Sequence, residues 1–249
     1  MLVDTHCHLY KEYYKDIDDI INNAKELGVM KYISAADDIE SCYEMLELAS
    51  SQDDVYIALG VHPENCNDDI KQLDNILLNN KDNKKIVAIG EIGLDYYYGK
   101  ENKDKQLEIF DYQLSLAEKY NLPVVVHSRE ATLDTINTLK KHKVRGVIHC
   151  FSGSLETANE YIKMGMYIGV GGVMTFKNSK IDEIIKEIPI ERIVLETDSP
   201  YLTPEPFRKY NNEPKYIRTI AEYLSELKHI DLKRVEEITE NNVNNIFFA

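Results

Sequence analysis

The feature that most restricts the fold is a repeated alternation. Eight short apolar runs, many of them β-branched, are each followed by a helical stripe or a loop leading into one. The runs cover residues 1–3, 32–35, 55–61, 84–89, 122–126, 144–148, 167–170 and 193–197. Between them, Ile17, Ile20, Ile21, Ala24 and Leu27 recur at helical spacing, as do Leu107, Phe110, Leu114 and Ala117, and Ile181, Ile184, Ile185 and Ile188. Strands that alternate with helices pair in parallel, because each crossover must carry the chain back to the same end of the sheet. Eight such units in 249 residues suit closure into a single TIM-type (β/α)8 barrel, one domain over residues 1–249. An open doubly wound sheet is the alternative. No internal repeat, low-complexity stretch or linker divides the chain.

In a closed parallel barrel the C-terminal ends of all strands meet at one rim, and chemistry sits there. The first strand runs into Asp4-Thr5-His6-Cys7-His8, where alternation puts His6 and His8 on one face. Later runs end at Glu91, His127, His149 and Asp198. Each has an ordinary reading alone: Glu91 as a helix cap, Asp198-Ser199-Pro200 as a turn. Four of the seven histidines at strand ends is a stronger signal, because neutral imidazoles and carboxylates together suit divalent ions. Asp4 and Glu196 lie two positions before candidate ligands and are expected to orient imidazoles.

Charge narrows the partners. Lys plus Arg number 29 against 43 Asp plus Glu, a formal charge of −14. That argues against tight, metal-free, sequence-independent DNA binding, which relies on cationic side chains. It leaves open a nucleic-acid enzyme whose positive charge comes from bound ions. No run reaches the roughly 18 apolar residues of a membrane span, and no basic-then-apolar leader opens the chain. The cysteines Cys7, Cys42, Cys66 and Cys150 form no Cys-x-x-Cys pair, which points to a reducing cytosol. By alternation Cys7 and Cys150 are expected to point away from the site as packing residues.

The motifs Asp4-Thr5-His6-Cys7-His8-Leu9, Gly60-Val61-His62-Pro63, Gly90-Glu91-Ile92-Gly93-Leu94-Asp95, His127-Ser128-Arg129, His149-Cys150-Phe151-Ser152-Gly153 and Glu196-Thr197-Asp198-Ser199-Pro200-Tyr201 span the chain. Together they resemble the TatD family of metal-dependent deoxyribonucleases, within the wider amidohydrolase-like barrels. The resemblance implies two divalent ions, Mg²⁺ or Mn²⁺ with Zn²⁺ possible in principle, held by His6, His8, Glu91, His127, His149 and Asp198. Glu91 would bridge them, where many superfamily relatives use a carboxylated lysine. One departure falls on the rim loop: the family usually has Arg-Gly where this chain reads Phe207-Arg208-Lys209-Tyr210-Asn211-Asn212-Glu213-Pro214. It bears on substrate fit and leaves the ligand set untouched.

The expected reaction is hydrolysis of DNA phosphodiesters at single strands or accessible ends. Asp198, with Glu91 as the other catalytic carboxylate, would take the proton of the attacking water. His62 and Arg129 would contact phosphate, an Arg fork matching phosphate oxygens. Asp95, heading Tyr96-Tyr97-Tyr98, is placed with the substrate contacts, and aromatic rings there could stack on a base. The alternatives are an amide or ester hydrolase on the same barrel, such as a D-aminoacyl-tRNA deacylase, and a non-catalytic metal or nucleic-acid binding protein. The intact ligand set weighs against the last.

Overall fold

The computed structural model describes residues 1–249, and its strands run in chain order around one sheet. They are β1 (Leu2–Cys7), β2 (Val29–Ala35), β3 (Val55–Leu59), β4 (Ile86–Asp95), β5 (Val124–Arg129), β6 (Gly146–Ile148), β7 (Met166–Val170) and β8 (Ile193–Leu195). Seven consecutive pairs are parallel. The intervening helices are α1 (Ile17–Glu26), α2 (Ile39–Ser51), α3 (Lys71–Asn79), α4 (Lys103–Tyr120), α5 (Thr132–Leu139), α6 (Leu155–Lys163) and α7 (Ile181–Glu187), then α8 (Ile217–Lys228) and α9 (Leu232–Phe247). The fold is the (β/α)8 barrel, and the open sheet is excluded by the β1–β8 closure.

That closure is a seam that combines backbone and side-chain bonds. One parallel bridge joins Cys7 to Ser199. The His8 N–H donates to Ser199 O at 2.8 Å, and the Asp198 N–H to His6 O at 2.9 Å. Asp4, fully buried, accepts from the Thr197 N–H at 3.0 Å and from its hydroxyl at 2.5 Å. Asp4 was expected to orient an imidazole; its carboxylate instead crosses the seam. A buried carboxylate is tolerated only when hydrogen-bonded, and here the bonds knit the first strand to the last.

Two cores follow from strand alternation. On β5, β6 and β8, Val125, Val147 and Val194 turn into the barrel while their neighbours pack outward under the helices. The interior is narrow, so its layer is built from small side chains, Ala35, Ala58 and Ala88 among them. Val243, Ile246 and Phe247 of α9 join that inner layer and plug the barrel floor. The outer core of 54 residues packs outward-facing strand side chains such as Ile57, Ile89 and Val126 against helical stripe residues such as Ile21, Phe110, Leu114 and Ile185.

Helix starts have local causes. The Asp16 side chain accepts from the Asp19 N–H to cap α1, Asp38 and Ser41 form a reciprocal capping box on α2, and Ser154 caps α6. The largest departure is β4, which runs ten residues and includes Gly90-Glu91-Ile92-Gly93-Leu94-Asp95 rather than ending before it. Its register against β5 shifts between Ile89 and Ile92, an irregularity of the kind that re-aims a side chain. Gly93 makes this possible: φ is +142°, and a Cβ there would lie 2.0 Å from His127 O. Gly93→Ala should therefore lower stability by about 3 kcal/mol or more, strain and backbone displacement together. Thermal unfolding of the variant against wild type measures it, and an unchanged melting temperature would refute it.

Candidate metal centre

Five elements deliver the site. His6 lies on β1 and His8 one residue past its end; Glu91 lies within β4 and His127 on β5. His149 follows β6 directly, and Asp198 sits three residues beyond β8 with φ +57°. Residues 192 positions apart in sequence thus share one rim.

The two oxygens of Glu91 face different partners. Oε2 is 3.1 Å from His6 Nε2 and 3.7 Å from His8 Nε2. Oε1 is 2.9 Å from His127 Nδ1 and 2.7 Å from His149 Nε2. Asp198 Oδ1 joins the first set, 3.4 Å from His6 Nε2 and 3.6 Å from His8 Nε2. Within each set the imidazole nitrogens approach to 3.2 Å. Nitrogens about 2.1 Å from one tetrahedral ion would sit about 3.4 Å apart, so the spacing fits ligands that share a cation.

Tautomers point the same way. His127 Nε2 is bonded to Asp95 Oδ2 at 3.0 Å, which leaves the Nδ1 lone pair aimed at the centre. The buried Nδ1 atoms of His6, His8 and His149 have no hydrogen-bond partner, whereas their Nε2 atoms converge. His62 differs. Its Nδ1 accepts the Glu64 N–H at 3.2 Å, so the neutral ring carries its proton on Nε2, 3.6 Å from Glu91 Oε1. His62 belongs to a group close enough to hold an ion with Glu91 and His127, but a protonated Nε2 donates a hydrogen bond and does not ligate.

Protonation follows from this crowding. Burial alone would raise Glu91, but the His149, His6 and His62 rings and the His127 hydrogen bond hold it well below the usual carboxylate range. Burial also opposes Asp198, and its bonds to His6 and His8 outweigh it, so this carboxylate too is held low. Burial lowers His62 to about 4. For His127 burial is outweighed by Asp95 and Glu91, and the ring rises to about 9.

Acids behind the ligands support them unevenly. Asp95, expected among the substrate contacts, is buried; its carboxylate is committed to His127 and to the Tyr97 N–H at 2.8 Å. Glu196, expected to orient an imidazole, accepts at Oε1 from the Cys150 N–H and lies 3.9 Å from His149 Nδ1, beyond hydrogen-bond distance. Asp37, which sequence reasoning missed, lies 3.6 Å from His8 Nδ1 and accepts from the Tyr10 hydroxyl at 2.9 Å. Its only signal was a place just past the second strand. Cys7 packs in the outer core as expected, while Cys150 lies beyond its strand at φ +44°, where alternation does not apply.

A cleft of about 470 Å³ opens over this centre. His62, Arg129, Tyr13, Tyr98 and Tyr201 are among its lining residues. The Arg129 guanidinium lies 3.6 Å over the Tyr97 ring with Asp95 at 4.0 Å, and does not pair with Glu130. Tyr96 is buried and donates to Asp134, so packing accounts for it. The rim loop that departs from the family pattern is pinned by Asn212, whose amide donates to Thr197 O at 2.7 Å and to Tyr201 O.

A family model for TatD related DNase matches residues 3–248. The chain belongs to the TatD family. Among TatD relatives, the metal-dependent hydrolase YabD of Bacillus subtilis is 40% identical over 252 residues, 99% of each chain. YcfH of Escherichia coli K12, also named a metal-dependent hydrolase, is 36% identical over 256 residues, 99% of this chain and 95% of its own. The crystal structure of YjjV, a TatD homologue from E. coli K12, superposes with a TM-score of 0.93 at 32% identity, covering 100% of this chain and 98% of its own. A TatD family hydrolase from Entamoeba histolytica gives 0.89 at 29%, over 99% and 98%. The chain is a metal-dependent hydrolase of TatD type, and two of its residue groups suit a cation: His6 with His149 and Asp198, and His6 with His8 and Glu91; the third close group includes His62, whose protonated Nε2 faces Glu91 as a donor.

Two outcomes follow for metal uptake. Glu91→Gln removes the charge common to both imidazole sets, and metal analysis after dialysis should show loss of most of the bound metal while circular dichroism stays unchanged. Full retention would contradict the sharing. Protons compete for the same lone pairs, and His127 binds one below about 9. Uptake should therefore weaken as pH falls from 9 toward 6 and release protons, read by calorimetry in buffers of different ionisation enthalpy.

Proposed function

We propose that this TatD protein hydrolyses phosphodiester bonds of DNA, at single strands or accessible ends, with two divalent ions held by the six ligands. The observation that carries the reading is Glu91, whose two oxygens serve two separate imidazole sets. His6, His8, Glu91 and Asp198 would hold one ion, and His127, His149 and Glu91 the other. Nitrogen and oxygen donors together accept Mg²⁺, Mn²⁺ or Zn²⁺. When bound, such ions would supply Lewis acidity, acidify water and offset phosphate charge.

The chain's own groups supply the rest. Asp198 stays ionised at neutral pH, and its side chain is partly open to the cleft, so it can accept the proton of the attacking water at its carboxylate. The same carboxyl can return that proton to the departing alkoxide. His62 presents a neutral Nε2–H, a donor to a phosphoryl oxygen that adds no charge. Arg129, 45% exposed by side chain and stacked on Tyr97, offers its fork to a second oxygen. Tyr98 and Tyr201 give flat faces beside the centre for a base. The family's printed description as DNases supports the choice of DNA, and the four free cysteines are consistent with a reducing cytosol.

The test is a substrate comparison on metal-stripped protein. Labelled single- and double-stranded DNA, a carboxylic ester and an aminoacyl-tRNA are each supplied with Mg²⁺, Mn²⁺ or Zn²⁺. Release of mononucleotides only when metal is added supports the nuclease; activity confined to the ester or the aminoacyl-tRNA overturns it. Asp198→Asn should lower kcat by about 10²-fold or more while the protein remains folded. Wild-type turnover by this variant would remove the proton-acceptor role.

A further inference from the structure

Helix α4 carries two glutamines on its buried face, Gln106 and Gln113, among Ile109, Phe110, Leu114 and Ala117. A buried amide is costly unless both its ends are hydrogen-bonded. Each of these amides spends both ends on a single residue's backbone. Gln113 accepts from the Val61 N–H at 2.8 Å and donates to Val61 O at 3.0 Å. Gln106 accepts from the Asp95 N–H and donates to Asp95 O, both at 2.9 Å. The two clamped residues lie at the ends of adjacent strands, Val61 two residues past β3 and Asp95 the last of β4. Val61 precedes His62, and Asp95 holds His127.

The glutamines are seven residues apart, two helical turns, or about 10.5 Å along the axis. A stiff helix therefore fixes the spacing of Val61 and Asp95, and the imidazoles beside them, His62 next in the chain and His127 hydrogen-bonded to Asp95, meet with ring centroids 4.6 Å apart. Neither glutamine reaches His6, His8 or Asp198, which the β1–β8 seam positions through Asp4 and Thr197. The centre thus has two scaffolds, one for each oxygen of Glu91.

We infer that Gln106 and Gln113 are positioning residues for the Oε1 half of the centre, Gln106 through Asp95 and His127, Gln113 through His62. The inference rests on the two-ion reading above. It assigns α4 a task beyond covering the sheet: tuning one ion and one phosphate contact without touching the other half.

The experiment uses the full chain with Gln106→Met and Gln113→Met, and Thr197→Val as the seam counterpart. Imidazole ¹H–¹⁵N spectra are recorded on metal-stripped protein, followed by Mn²⁺ titration in a calorimeter. Gln106→Met should shift the His127 ring resonances, leave those of His6 and His8 in place, and weaken one of two uptake steps about tenfold or more. Thr197→Val should do the reverse. Gln113→Met should shift His62 and raise KM several-fold with both uptake steps retained. If Gln106→Met does not fold, Gln106→Glu keeps the acceptor for the Asp95 N–H and is read the same way. Equal weakening of both steps, or a lower melting temperature with His127 unmoved, overturns the inference. A wild-type protein that takes up one ion sinks the two-ion reading, and the clamp then stands or falls on the metal-free His127 resonances.

Discussion

A single buried carboxylate, Glu91, sets the terms for the whole rim. Taking an isolated charge out of water costs several kcal/mol unless opposite charge or strong donors surround it. Glu91 has no lysine or arginine within reach. Its neighbours are imidazoles, which compensate it when they carry protons or when cations take the protons' place. The strands that deliver those rings must therefore converge on one point. A barrel does this because every parallel strand ends at the same rim.

The two sides of that carboxylate are supported by different physics. At the seam, Asp4 extends a short backbone bridge with side-chain bonds to Thr197, and the candidate ligands His6, His8 and Asp198 ride on it. On the other side a helix reaches over the strand ends with two amides and holds the backbone directly. Strands β1, β4 and β5 carry His6, Glu91 and His127 themselves, but β8 stops at Leu195 and β6 at Ile148, short of the centre. Side-chain bonds make up the difference.

The barrel was legible because its period is: strands read as apolar runs, helices as stripes, and eight units leave little else to build. His6, His8, His127, His149 and Asp198 were legible because strand ends are where such residues stand out. Glu91 was found for a partly different reason than its true placement, inside a bulged strand whose glycines weaken any strand signal. Asp95, expected among the substrate contacts, lines the cleft, but its bonds to His127 and the Tyr97 N–H were not legible, because spacing shows which rim a residue reaches and not which neighbour it bonds. Asp37 left only its place just past the second strand, and the two α4 glutamines left no pattern. A polar residue inside an apolar stripe looks like an interruption until its partner strand is folded beside it.

The seam also has a consequence for biosynthesis. Its partners lie at opposite ends of the message, with Asp4 and His6 near the start and Thr197 and Asp198 near the finish. Contacts of such long sequence separation form late, after loop closure over nearly the entire chain. A ribosome-bound fragment ending before β8 therefore lacks Asp198 and the seam that places His6 and His8, and the growing polypeptide stays without its assembled candidate centre until its final strand has emerged.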